Sequence, residues 1–329
     1  MATVSRMIFL MLLAAFLWIE PAHAASAPDR LIGLHSAQVM SQSMPWIARE
    51  AGLFKKYDLD FNLVFIPSSP IATAATLNGD AEIGVTGAIG NVRAYVQGFT
   101  DLVFIGGIKN FLTHSILAKP EIKRPEDLRG KKVAVGRFGG NTHYFTIQAL
   151  RKYGMDASRD IQTIQTGGGP ETLAALVAGN VDAAALVAPG DAAAALRGFR
   201  YVINGLELRI PYGATQLVTL RSVIAKRGPV IGRFIRVMAE AANILHSDKQ
   251  LVYKVLGKYL RITDTKILDS AYQSEIPALE RRLEIQEAAL QASLDEIAPT
   301  DPRAKAIKPA DMIDRRYLVE LEKSGAFSK

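Results

Sequence analysis

Ser69-Pro70-Ile71-Ala72-Thr73-Ala74-Ala75-Thr76-Leu77-Asn78-Gly79-Asp80-Ala81-Glu82-Ile83 aligns without a gap on Gly169-Pro170-Glu171-Thr172-Leu173-Ala174-Ala175-Leu176-Val177-Ala178-Gly179-Asn180-Val181-Asp182-Ala183, at an offset of 100 residues. Pro, the paired alanines, Gly and an acidic residue coincide. Further out, Phe61–Ile66 falls opposite Ile161–Thr166 and Gly52 opposite Gly154, while Leu31–Leu34 matches Val133–Gly136 at an offset near 102. Solenoid repeats run ~20–50 residues, so this period is too long for one. It describes two copies of one α/β unit, hence two lobes with a cleft between them.

The 329 residues begin with a segment that reads as an export signal. Arg6 precedes the apolar run Met7–Ile19, and Ala22-His23-Ala24 supplies the small residues a signal peptidase needs. That run is 13 residues, short of the ~20 that span a bilayer. With no cysteine in the chain there is no lipid-modified Cys, no disulfide and no thiolate metal site, so the expectation is a free periplasmic protein. The net charge of +7 is scattered over pairs such as Lys55-Lys56, Lys131-Lys132 and Arg315-Arg316. No basic stripe with interleaved aromatics is seen, so nucleic acid is not an expected partner.

Alternating strand and helix signals fill both units and predict parallel-type sheets covered by helices. In the first unit they are strand Leu31–His35, a helix Met44–Tyr57 with Pro45 in its first turn, strand Phe61–Pro67, a helix opened by Ser68-Ser69-Pro70, strand Glu82–Thr86, a helix Ala88–Gln97 and strand Leu102–Ile108. The second repeats the order from Lys132 to Arg197. The strand-like segments Phe111–Lys119 and Tyr212–Arg221 are expected to cross between lobes. Residues 25–113 then form the first part of lobe I, 114–215 lobe II, and 216–329 the return strand and C-terminal helices of lobe I. The helices expected there include Pro229–His246, a long run Ala278–Ala298 and Pro309–Ser324.

In open α/β sheets, ligands bind outside the carboxyl ends of the strands. Here those ends lead into helix starts, whose unpaired N–H groups and positive dipole ends suit an oxyanion. The first unit offers Ser41, Gln42, Ser43, then Ser68 and Ser69, then Thr86 and Gly87. The second offers Gly139, Gly140, Asn141 and Thr142, then Gly167-Gly168-Gly169 before Pro170, then Pro189-Gly190. Serines and threonines there either contact a ligand or cap their own helices. Trp46 either stacks on a ligand or belongs to the core. Thr113 and His114 in the first crossover, and His143 beyond Thr142, either donate to an anion or serve the hinge and surface. Arg137 either clamps an oxyanion or faces solvent. No histidine pair has metal-ligand spacing. Gly136-Arg137-Phe138-Gly139-Gly140 lacks the spacing of a dinucleotide loop, and no P-loop or GxSxG elbow occurs, so neither cofactor nor catalysis is expected.

Four segments carry a family resemblance. They are Ala48-Arg49-Glu50-Ala51-Gly52-Leu53-Phe54-Lys55-Lys56-Tyr57-Asp58-Leu59-Asp60, Ala75–Gly84, Asp127-Leu128-Arg129-Gly130-Lys131-Lys132-Val133-Ala134-Val135, and Ala174–Ala183. In order and spacing the chain resembles periplasmic substrate-binding proteins of ABC importers, in the nitrate/sulfonate/taurine group that shares its fold with thiamine-precursor-binding proteins. The resemblance implies the two-lobe type II periplasmic-binding fold of the α/β class, with two hinge strands and additional C-terminal helices. It implies a monomer that closes on a small anionic or zwitterionic solute and delivers it to a permease and its ATPase. A neutral heteroaromatic vitamin precursor, held by Trp46, Phe138, Tyr144 and Tyr212, and a sensor docking on a membrane receptor remain alternatives. The related pyrimidine synthases need a cysteine-rich segment, which this chain lacks. The family usually has Gly where Tyr57 begins Tyr57-Asp58-Leu59-Asp60, so this helix is expected to end differently.

Overall fold

The computed structural model describes residues 27–327, so the export signal Met1–Ala24 lies outside the described residues. The repeat is structural: Ser69–Leu77 and Gly169–Val177 are both helices, and Ile83–Thr86 and Ala183–Leu186 are both strands, at the same offset of 100. Pro70 and Pro170 sit in the first turn of their helices, where a missing N–H removes no intrahelical bond. Both strands are buried at every residue, as central strands covered on two faces must be.

In chain order the first unit runs β1 (Asp29–His35), α1 (Met44–Glu50), α2 (Leu53–Lys56), β2 (Leu59–Phe65), α3 (Ser69–Leu77), β3 (Ile83–Thr86), α4 (Ala88–Val96) and β4 (Leu102–Leu112). The second runs β5 (Ser115–Ala118), β6 (Lys132–Val135), α5 (Asn141–Lys152), α6 (Ala157–Asp160), β7 (Gln162–Gln165), α7 (Gly169–Val177), β8 (Ala183–Leu186), α8 (Gly190–Ala195) and β9 (Arg200–Ile203). Short α9 (Gly205–Leu208) leads to β10 (Ile210–Leu220), α10 (Arg221–Ser247), α11 (Lys249–Leu260), α12 (Thr265–Glu275), α13 (Glu287–Ile297) and α14 (Arg316–Lys323).

The sheets are ordered β2-β1-β3-β10-β4 and β7-β6-β8-β5-β9. The first three strands of each are parallel; β10 and β5 enter antiparallel from the chain's crossings, so the sheets are mixed rather than parallel throughout. On the first sheet α10 lays Phe234, Ile235, Met238 and Leu245, all fully buried, over the core. Phe234 meets Phe61 at 5.2 Å between ring centroids. Each such side chain contributes about 1.5–3 kcal/mol.

The chain crosses between sheets at Thr113-His114 and again between Ile203 and Ile210. The second crossing comes earlier than the expected Tyr212–Arg221. β10 pairs with β4 from Ile210↔Leu112 onward, so residues 210–215, expected in lobe II, lie in the first sheet. The crossings pack on each other so closely that a Cβ on Gly205 would overlap the His114 carbonyl. Gly205 is therefore required by close approach, not by its dihedral angles.

Other boundaries differ for identifiable reasons. Gly52, at φ 70, divides the expected helix Met44–Tyr57 in two, and Asp58, at φ 51, rather than Tyr57, takes the left-handed position before β2. The expected helix Ala278–Ala298 begins only at Glu287. Before it, Leu279–Gln286 runs along the outer edge of β4: Glu280 N donates to Ile108 O and Gly107 N to Leu283 O, each at 2.8 Å. An edge strand's unpaired backbone groups outcompete local helix propensity here. Pro309–Ser324 likewise contains a 3-10 turn (Pro309–Met312) and a bridge from Ile313 to Phe104 before α14 begins.

Candidate ligand-binding cleft

Between the carboxyl ends of the two sets of parallel strands lies a cavity of about 180 Å3. That is near the ~150 Å3 of an apolar cavity known to accept benzene, so the space suits a ligand core of a few heavy atoms. The first lobe lines it with Ser36–Val39, Ser41, Gln42, Phe65 and Pro67–Ser69; the second with Gly136, Arg137, Gly140–Thr142, Gly167–Glu171 and Val187. Lys109, His114, Ala214 and Thr215, from the strands at the hinge, form its floor.

Of the residues expected from sequence, the structure gathers Ser41, Gln42, Ser68, Ser69, His114, Gly140, Asn141, Thr142, Gly168 and Pro170 around this cavity. Others lie elsewhere. Ser43 is fully buried and donates to Met40 O at 2.7 Å. Trp46 is 5% exposed and stacks on Tyr259 at 5.1 Å, so it is core. Thr86 Oγ1 accepts from Asn91 at 2.9 Å, and Gly87 N donates to Ser69 Oγ at 3.2 Å, behind the wall. Thr113 donates to Glu275, away from the cleft. Gly139 turns to a neighbouring groove with Phe138, and Pro189 lines an adjoining one.

The hydrogen bonds show which expected groups are already engaged. Gln42 Oε1 accepts from Ser36 N (2.9 Å) and Ala37 N (2.8 Å), shaping the loop after β1 rather than standing free. Ser41 Oγ and Thr215 Oγ1 share a bond of 2.8 Å. Thr142 Oγ1 accepts from Gly136 N at 2.9 Å. Further donors are the first-turn N–H groups of α3, α5 and α7, Pro70 and Pro170 excepted, which intrahelical bonding leaves open. Ser68, at φ 154, holds a conformation unfavourable for a residue with a Cβ at the mouth of α3.

Two side chains of the second lobe, Arg137 and Asn141, make three hydrogen bonds across the cleft. Arg137 Nε donates to Pro67 O at 3.1 Å. Asn141 Nδ2 donates to Ala214 O at 2.8 Å while its Oδ1 accepts from Tyr212 OH at 3.1 Å. Of the two open readings for Arg137, the structure has it spanning the lobes at the cavity's edge. Glu171, opposite in charge, accepts from Gly168 N at 3.0 Å on the same rim.

Burial strips His114 of its proton: desolvation first, then nearby Lys109, pushes its pKa down to about 3. It presents a neutral ring to the cavity. His143 is lowered by desolvation and accepts from Gly139 N at 3.2 Å, outside the cavity. Sequence reasoning missed Lys109, whose ammonium is 2.6 Å from Glu275. It missed Ser36, Gln38 and Phe65 too, although the loop after β1 was signalled by its place at a strand end. Among the described residues no group of three or more His, Asp or Glu is placed to hold a metal.

A cleft at strand ends, walled by helix starts from two lobes joined by two crossings, defines the two-lobe periplasmic-binding fold. The chain belongs to the NMT1/THI5-like family, whose pattern it matches over residues 43–250. It is 29% identical over 154 residues to the taurine-binding periplasmic protein of Escherichia coli (strain K12), which covers 46% of this chain and 44% of that one. The chain thus matches less than half the length of that relative. The fold resembles the alkanesulfonate-binding protein SsuA of Xanthomonas axonopodis pv. citri, solved bound to MOPS, with a TM-score of 0.74 and 22% identity over 88% of this chain and all of that one (100%). It also resembles the desulfurization enzyme DSZB, with a TM-score of 0.68 and 12% identity over 90% of this chain and 99% of that one. One fold thus serves binding and catalysis, and the site must decide between them.

Proposed function

We propose that this chain is the solute-binding component of an ABC importer, capturing a small organic anion or zwitterion of sulfonate or carboxylate type. The observation that carries this reading is a cavity whose walls are helix starts of opposite lobes, α3 against α5 and α7. An oxyanion there meets backbone N–H donors and positive dipole ends from both sides. Arg137 adds a cation and Glu171 an anion at the rim, the pair that a zwitterion needs. The family and the taurine-binding relative support the same reading. In this proposal the processed chain works as a periplasmic monomer, and closure of its lobes presents the loaded form to a permease and its ATPase.

Binding fits the titratable groups better than catalysis does. Lys109 and Glu275 are tied to each other, and His114 is held neutral by burial. A heteroaromatic ligand lacks its walls: Trp46 packs on Tyr259, Tyr144 and Tyr212 stack on each other at 4.4 Å, and Phe138 is 53% exposed.

A thermal-shift screen of the processed chain tests the reading against sulfonates, carboxylates, nitrate and vitamin precursors. A ligand at ~100 times its Kd adds about 2.7 kcal/mol and raises Tm visibly. Stabilisation by the pyrimidine precursors alone, with all anions silent, overturns the proposal.

A further inference from the structure

His114 is 6% exposed and lines the polar cavity beside Lys109, and its Nδ1 is buried with no hydrogen-bond partner among the described residues. Buried polar atoms are seldom left so. An unpaired acceptor lone pair is tolerated more readily than an unpaired N–H, so the neutral ring carries its proton on Nε2. Nε2 is then the nitrogen left to face the cavity, as a donor without charge. Phe145 stacks on the ring at 5.7 Å between centroids and limits its rotation.

The charges around this ring are already engaged. Lys109 Nζ lies 2.8 and 2.6 Å from the two Glu275 oxygens and also bonds to Thr113 Oγ1, which uses all its donors. Glu171 is the one carboxylate of the cavity lining, and it stands at the rim. The other polar groups on this side are neutral. Ser41 and Thr215 share one hydrogen bond of 2.8 Å, which leaves an O–H and spare lone pairs between them.

We propose that His114 selects the solute, donating from Nε2 to an uncharged oxygen on a molecule whose anionic group sits at the helix starts. The proposal rests on the anion-binding reading above and narrows it. The preferred solute is an anion carrying a hydroxyl, not a zwitterion carrying an ammonium. A hydroxyl accepts from Nε2–H and donates to Ser41 or Thr215. An ammonium has no lone pair, so it meets Nε2–H donor against donor, on the same floor as the Lys109 charge and without an acid of its own.

The test titrates 2-hydroxyethanesulfonate, 2-aminoethanesulfonate and ethanesulfonate calorimetrically into the processed chain, with 3-hydroxypropanoate, β-alanine and propanoate as the matching carboxylates. In the series that binds, the hydroxyl compound is expected to bind about tenfold or more tightly than the other two, because each of those leaves the Nε2–H unpaired. Melting curves first establish that His114→Leu and His114→Gln fold. His114→Leu, with no donor, should bring the affinity ratio of the hydroxyl compound to its unsubstituted counterpart to within about twofold of one. His114→Gln, whose amide donates, should keep part of the ratio; a merely structural role would lower all affinities together and leave it unchanged. A parent that binds the three alike, or prefers the amino compound, overturns the proposal and leaves the anion site standing. So does a ratio that His114→Leu does not move. Uptake of about one proton on binding, read from buffers of different ionisation enthalpy and lost in His114→Gln, also overturns it, since the ring then acts as a cation. Silence with all six compounds removes the anion-binding reading itself, and this proposal with it.

Discussion

Lys109 and Glu275 form an ion pair at 2.6 Å with both side chains 1% exposed, joining the hinge end of β4 to the last residue of α12. Thr113, at the first crossing, bonds to both members. The C-terminal helices are thereby fastened to the strand that leaves for the second lobe. The pairing also sets the electrostatics of the cavity floor, since Glu275 already compensates the Lys109 ammonium. An incoming anion must find its countercharge in helix N-termini and Arg137 instead.

Breaking this pair from one side strands a buried charge, which typically costs 3–5 kcal/mol. Lys109→Met leaves the Glu275 carboxylate uncompensated, and Glu275→Gln leaves the ammonium so. Each is expected to lower the urea midpoint strongly. The double substitution should recover much of the loss, because neither side chain then leaves an uncompensated charge buried. Single variants as stable as the parent would show that water reaches the pair.

Acid should destabilise the protein in a window set by two histidines. Desolvation lowers His35 to about 4 and His114 to about 3, against 6.5 in an unfolded chain. Below pH 6.5 the unfolded state takes up protons that the folded state refuses, so stability declines as pH falls toward those lower values. Asp191 acts oppositely: desolvation raises it to about 6, so the folded state gains protons first and recovers some stability below that pH. Urea midpoints measured from pH 7.5 to 4.5 should fall, and His114→Gln should shallow the slope. A slope that His114→Gln leaves unchanged would place that ring in water.

Asn141→Ala has a consequence that the sequence reading alone does not anticipate. An N-terminal asparagine at a ligand-facing helix suggests a loss of affinity with little loss of stability. Its amide, however, bridges Ala214 O and Tyr212 OH, and Tyr212 is fully buried. Leaving buried polar groups unpaired costs about 1–3 kcal/mol. Both Tm and affinity are therefore expected to drop. Calorimetry and a melting curve on one preparation check this; an unchanged Tm would place the amide's partners in contact with solvent.

The sequence made the repeat legible because both copies bury the same kind of central strand at the same offset, and periodicity reports burial directly. Helix starts were legible for a similar reason: Pro70, Pro170, Asn141 and Thr142 mark local geometry. What escaped depends on residues distant in the chain. Nothing near Lys109 announces Glu275, 166 positions away. Trp46 at the first helix looked equally suited to ligand or core until Tyr259 supplied its stacking partner. Leu279–Gln286 carries a helical stripe of apolar residues, yet Leu283, at φ 55, and Ile285 are buried along the open edge of β4 outside any helix. Tertiary pairing overrode the local pattern there.

Closure itself is open to a minimal perturbation. Gly87 opens α4 in the first lobe with φ −71 and ψ 152, angles that alanine adopts freely. A Cβ there, however, would overlap Asn141 Oδ1, which belongs to the second lobe. Gly87→Ala should thus leave the stability of each lobe intact while holding the lobes apart, weakening ligand binding by about tenfold or more, equivalent to at least ~1.4 kcal/mol. Small-angle scattering should show less compaction on adding ligand than the parent shows. The cause is isolated by a double-mutant cycle. In an Asn141→Ala background the obstructing amide is gone, so Gly87→Ala should have little further effect. Full additivity of the two losses would mean that Gly87 acts on the first lobe alone and that this contact does not limit closure.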